Sequence, residues 1–172
     1  MVEDLRERGR FLAKRLEGYQ YAIRGTASLV LQGLKMGVQD IDLVGDKEMA
    51  LAANKILAEY LVEAVDYKES EKFRSYFGKF EIEGVRVEIM GEWEIKDKKG
   101  VWQGPYTGDR CQVIVIGGKE IKVTTIEEEL KVSAIMGRWN EYWKIKKQVT
   151  SNKKPWPGRQ DTNRQEEQEK LF

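Results

Sequence analysis

The sequence predicts an α+β domain built on a mixed sheet of about five strands flanked by helices, and three observations lead there. Helical and extended apolar periods alternate in the order α-β-α-β-α before Phe73. From Phe73 the period changes to two and persists through two hairpins. A last amphipathic helix then precedes a strongly polar C-terminal stretch. With 172 residues, 41% of them apolar, the chain can build one ordinary core and is too short for two comfortable ones. The domain is expected over residues 1–148, with 149–172 an extended or disordered tail.

Each element has its own signal. Residues 4–17 place Leu5, Leu12 and Leu16 near one helical face. A short strand, Tyr19 to Ile23, ends at Arg24-Gly25-Thr26, and the helix that follows spaces Ala27, Leu31 and Leu34, with Thr26 placed to cap it. VQDIDLVG reads as a second strand. Residues 46–64 read as one helix, with Asp46 as N-cap and Met49, Ala53, Ile56, Leu57 and Tyr60 inward. FRSYFGKFEI and VRVEIMGEWEI form a hairpin about Glu83-Gly84. The Gly- and Lys-rich run around 96–110 reads as a loop. QVIVI and KEIKV form a second hairpin about Gly117-Gly118. Thr125-Ile126-Glu127-Glu128 is a capping-box pattern opening a long final helix, with Leu130, Ala134, Trp139 and Trp143 inward.

Composition narrows the chemistry. Lys and Arg number 30 against 29 Asp and Glu, so no global field draws the chain to nucleic acid or membrane. There is no histidine, which excludes histidine triads and imidazole metal ligands. The single cysteine, Cys111, forms neither an internal disulfide nor a thiolate cluster and fits a reducing compartment. The charged N-terminus lacks an apolar signal core, and no stretch reaches membrane-spanning length. A cytoplasmic protein is expected.

Carboxylates remain. Asp40-Ile41-Asp42 puts two acids on one face of a strand, where their repulsion is relieved by protonation or by a hard cation such as Mg²⁺ or Mn²⁺. A bare Asp-x-Asp is also compatible with a solvated strand end. Glu88 lies on the polar face of Val85–Met90 and would complete a three-carboxylate site if that strand lies beside the first; pairing with a Lys or Arg across strands is the other reading. Gly25-Thr26 at a helix start offers free N–H groups suited to phosphate, although such a pair also simply starts helices.

The segment IRGTASLVLQGLKMGVQDIDLV resembles the signature of the polymerase-β-type nucleotidyltransferase superfamily. In that signature an apolar residue and Gly, followed by Gly, Ser or Thr, precede Asp-apolar-Asp by about a dozen residues. The small branch with lincosamide and aminoglycoside nucleotidyltransferases and abortive-infection toxins is the nearest in pattern, and VTTIEEELKVSAIMGRW also resembles it. The resemblance implies a nucleotidyltransferase fold, two metal ions, and transfer of a nucleoside monophosphate from NTP to a hydroxyl with loss of pyrophosphate. It implies Asp40 and Asp42 on metal with Glu88 as third carboxylate, Gly25 and Thr26 on the β and γ phosphates, and Lys131 neutralising the triphosphate. Arg24 stands where the branch usually has Gly and offers a further phosphate contact, while Glu88 replaces the commoner Asp and is one methylene longer.

The acceptor is open between a small molecule, a protein hydroxyl and a tRNA end, with selectivity expected from loop 96–110, the last helix or a second subunit of a homo-oligomer or partner protein. Two other readings stand beside the enzyme. One is a non-catalytic nucleotide- or partner-binding module of the same fold. The other is a tRNA- or RNA-interacting protein that uses Lys144, Lys146, Lys147, Lys153, Lys154 and Arg159 with Trp156, against a basic helix end and a solubilising tail.

Overall fold

The computed structural model describes residues 2–151. Helix α1 (Val2–Arg15) carries Glu3 and Asp4 in its first turn and Lys14 and Arg15 in its last, each favourable to the helix dipole, and buries Leu5, Leu12 and Ala13. Strand β1 (Tyr21–Arg24) runs directly into α2 (Gly25–Leu31). The cap lies two residues earlier than expected: Arg24, not Thr26, is the N-cap, in extended conformation and without a side-chain capping bond. Gly25, at φ 70°, makes this abrupt turn possible.

Strand β2 (Asp40–Gly45) leads to α3 (Lys47–Ile56), which Asp46 caps by accepting the Met49 N–H at 2.8 Å. Here the expected helix over 46–64 proves too long. After a short 3₁₀ turn at Ala58–Tyr60 the chain becomes β3 (Leu61–Glu69). Its apolar residues continue the helical period by chance, whereas pairing with β4 (Phe73–Ile82) satisfies its backbone. Strand β5 (Val85–Lys96) completes the expected hairpin through Glu83 and Gly84, both at positive φ. The expected loop 96–110 contains a further strand, β6 (Trp102–Tyr106), which pairs with β5. Strands β7 (Cys111–Ile116) and β8 (Lys119–Thr124) form the second hairpin as expected.

The single long final helix is two helices, α4 (Ile126–Ile135) and α5 (Trp139–Ser151). Gly137 at φ 70° breaks them. Thr125 caps α4 as expected, accepting the Glu128 N–H at 3.1 Å. The break also turns Trp143 outward, to 47% exposure, while Tyr142 and Ile145 face the core. The expected burial of Trp143 is therefore corrected. Of the basic run 144–160, Lys144, Lys146 and Lys147 lie on α5; Lys153, Lys154, Trp156 and Arg159 lie outside the described residues, as does the expected tail beyond Ser151.

The described residues form one eight-stranded sheet, not one of about five. Its order is β3-β4-β5-β2-β1-β8-β7, with β6 added on β5. It is mixed, since β2 is parallel to β5 and antiparallel to β1, and β1 is parallel to β8. One face, with Ile23, Ile41, Leu43 and Ile89, packs against Leu12 of α1, Met49 of α3 and the residues just past these helices, Leu16 and Leu57. The opposite face carries Ala22, Val44, Met90 and Trp93, partly covered by Val132 of α4. Arg24 of β1, Asp40 and Asp42 of β2 and Glu88 of β5 emerge on this second face.

Candidate functional site

Strand register gathers the acids. Asp42 lies opposite Glu88 across the parallel β2–β5 pair and opposite Arg24 across the antiparallel β1–β2 pair, so all three side chains rise from one face. Asp40 is opposite Arg86. Gly25 belongs to the same cluster, because a Cβ built on it would stand 3.3 Å from Asp42 Oδ2. Thr26 follows in the first turn of α2. Lys131 does not join them; it is exposed on α4 and lines neither cavity described below.

Arg24 is the cation at the centre. Its guanidinium lies 3.8 Å from Asp42 Oδ2, 3.9 Å from Glu129 Oε2, and 4.2 Å from the centre of the Trp93 ring. Glu129 is buried, accepting the Gly25 N–H at 2.8 Å and the Thr124 hydroxyl at 2.6 Å through one oxygen. The first amide of the phosphate-type turn is thus already engaged by a carboxylate of this chain. Glu129 was missed in the sequence, although a signal exists: it lies three residues after Ile126 and three before Val132, within the buried stripe of α4.

Burial pushes the Asp42 carboxyl up to about 6; Arg24 opposes this, while Glu88, Asp40 and Glu129 add to it. Asp40 and Glu88 each face Arg86 at 3.9 Å. Among the described residues no three acidic or thiol side chains stand close enough to enclose a metal ion. The reason is visible in the pairing, since Arg86 draws Asp40 and Glu88 while Arg24 holds Asp42. The donor chemistry nevertheless fits a hard divalent cation: all donors are oxygens on one face, and Arg86 is 58% exposed.

Two cavities open from the cluster. A small one of about 20 Å³, room for one water, lies between Arg24, Tyr106, Glu128 and Glu129. Burial raises both the Glu128 carboxyl and the Tyr106 phenol above their ordinary values. The larger cavity, about 380 Å³, is reached by Arg24, Asp42 and Glu88 and walled by β3, β4, Met90, Trp93 and the α4–α5 junction. Trp93 lines both cavities. It reaches this face because β5 bulges at Glu92, held at φ 50°, which shifts Trp93 and Ile95 to the side of Met90.

Residues 12–153 match the family model described as aminoglycoside-2″-adenylyltransferase. The chain belongs to that family. Among solved structures, a candidate nucleotidyltransferase from Thermotoga maritima is 28% identical, with a TM-score of 0.69 over 85% of this chain and 94% of that one. ANT(2″)-Ia in complex with adenylyl-2″-tobramycin is 15% identical and shares the fold, with a TM-score of 0.52 over 83% of this chain and 87% of that one. An antigenic nucleotidyltransferase-like protein from Paracoccidioides brasiliensis, also 15% identical, gives 0.50 over 86% and 77%. No curated protein sequence matches. This member of the aminoglycoside-2″-adenylyltransferase family is a nucleotidyltransferase with the nucleotidyltransferase fold. No helix among its described residues is long and apolar enough to cross a membrane.

Proposed function

We propose that this nucleotidyltransferase works with Mg²⁺ or Mn²⁺ and moves a nucleoside monophosphate from an NTP to a hydroxyl acceptor, releasing pyrophosphate. The observation that carries the reading is the register Arg24–Asp42–Glu88, which sets residues far apart in sequence on one ledge. Asp40 and Asp42 would hold the divalent ion, with Glu88 as third carboxylate; when bound, the ion supplies charge neutralisation to the triphosphate and the displaced oxygen. Glu88, opening on the larger cavity, accepts the proton of the incoming hydroxyl. Arg24 lies beside Gly25 and exchanges its two distant carboxylate partners for phosphate oxygens, a stronger charge-assisted contact. Thr26 contributes from the same turn, and Lys131 adds long-range neutralisation only if the triphosphate extends toward α4.

Incubation with Mg²⁺ and each labelled NTP, followed by pyrophosphate assay, tests this. Asp40→Asn and Asp42→Asn should each lower release by about 100-fold or more. Nucleotide binding with no release from the wild-type chain under any acceptor would leave a binding module and sink the enzyme reading.

A further inference from the structure

We infer that Trp93 is a positioning residue for nucleotide binding: its ring holds the Arg24 guanidinium clear of the surrounding carboxylates, so that the N–H groups of Arg24 stay available to phosphate oxygens. This rests on the nucleotidyl-transfer reading and assigns that site a further residue. Arg24 enters from β1 and Trp93 from β5, with β2 between them, and the guanidinium lies 4.2 Å from the ring centre. Both partners are shielded from water, the Arg24 side chain at 12% exposure and Trp93 at 5%. A cation over an aromatic face gains most where water does not compete for it.

The distances show what the ring does. Asp42 Oδ2 and Glu129 Oε2 stand 3.8 and 3.9 Å from the guanidinium, each about 1 Å beyond a charge-assisted hydrogen bond. A guanidinium free to move between two carboxylates would close that gap; this one stays on the ring. Neither acid therefore takes up its donors, and Arg24 and Trp93 together line both cavities at this face. Trp93 is itself fixed by two further rings. Phe73 stacks on it at 5.9 Å and 17°, and Tyr106, its register partner on β6, meets it at 5.7 Å and 48°. Its place depends on the bulge in β5, where Glu92 and Trp93 stand against the single residue Ser75 of β4 and Glu92 takes φ 50°. That left-handed conformation is unfavourable for a residue with a side chain, and here it brings an aromatic face to the cation beside Gly25. In Trp93→Met the apolar bulk remains but the face is lost, and Arg24 closes onto Asp42 and Glu129.

Calorimetric titration of the full chain, with Mg²⁺ and the α,β-methylene analogues of ATP, GTP, CTP and UTP, first reports nucleotide binding. Failure there defeats the nucleotidyl-transfer reading and this inference with it. With an analogue that binds, Trp93→Met should weaken affinity about tenfold, and Trp93→Phe, which keeps a smaller face, about threefold. In an Arg24→Met background either substitution should change affinity by about twofold at most, because the ring acts through the guanidinium. Fluorinated tryptophans placed at position 93 keep the shape of the ring while draining charge from its face, and they decide the matter where Trp93→Met does not fold. Each added fluorine should weaken binding further when Arg24 is present and leave it unchanged in Arg24→Met. An equal loss with and without Arg24, as a purely packing role requires, overturns the inference. So does an affinity that neither the methionine nor the fluorinated ring alters.

Discussion

Asp42 shows what burial costs a charged side chain. Its carboxyl is raised to about 6 in the fold, so the proton-bound form stabilises the metal-free protein fully below its ordinary value near 3.8. That stabilisation is lost as pH rises through the window from about 4 to 6. Above it the charged form costs on the order of 1–2 kcal/mol after allowing for the side chain's 28% exposure. Asp42→Asn should therefore be more stable than wild type by that amount at pH 7 with chelator present, and equal to it at pH 4, in urea unfolding. Glu129 behaves oppositely. Its loss in Glu129→Ala leaves the Gly25 N–H without its carboxylate acceptor and turns the Thr124 hydroxyl to its longer contacts with Ser28 and Ile23, which should cost about 1–3 kcal/mol and raise the KM for NTP. Glu129→Gln keeps an acceptor oxygen and should restore most of the stability; if alanine is as stable as wild type, the carboxylate does not hold the turn. The acidic pair on β2 was legible because strand alternation is written in the spacing of Asp40 and Asp42. Glu129 was not, since its relevance depends on which helix lies over which strand.

At the scale of elements, the seat of α3 on the sheet depends on the absence of side chains. A Cβ on Gly91 of β5 would come within 2.5 Å of the Ala50 Cβ and 3.0 Å of the Asp46 carbonyl. Gly91→Ala should lower the urea midpoint by the equivalent of about 1–3 kcal/mol, because backbone and helix must shift together. A midpoint unchanged from wild type would mean that α3 is free to move. The hairpins β4–β5 and β7–β8 were readable for a local reason, namely that turn residues and two-residue alternation are both carried by neighbours in sequence. The elements that escaped have non-local causes. Strand β3 follows a true helix without a breaker and is made a strand by its partner β4; β6 is short, Gly- and Pro-containing, and exists as an edge on β5. The bulge at Glu92 likewise leaves no mark in the pattern, yet it decides that Trp93 faces the acids.

Across the whole molecule, β2 occupies the interior of the sheet, hydrogen-bonded to β1 on one edge and β5 on the other. Its amides should exchange with solvent among the slowest in the chain, whereas those of β3, at the sheet margin, should exchange faster by opening locally. Hydrogen exchange read by mass spectrometry checks the order, and faster exchange in β2 than in β3 would refute it. The larger cavity thereby joins two depths of the architecture: Asp42 and Glu88 reach it from strands flanked on both sides, whereas Lys68 and Glu69 reach it from the sheet margin and Arg138 from beside the joint at Gly137. A floor set in the middle of the sheet with a rim on its margin and on a helix joint lets the rim shift while the carboxylates stay in register.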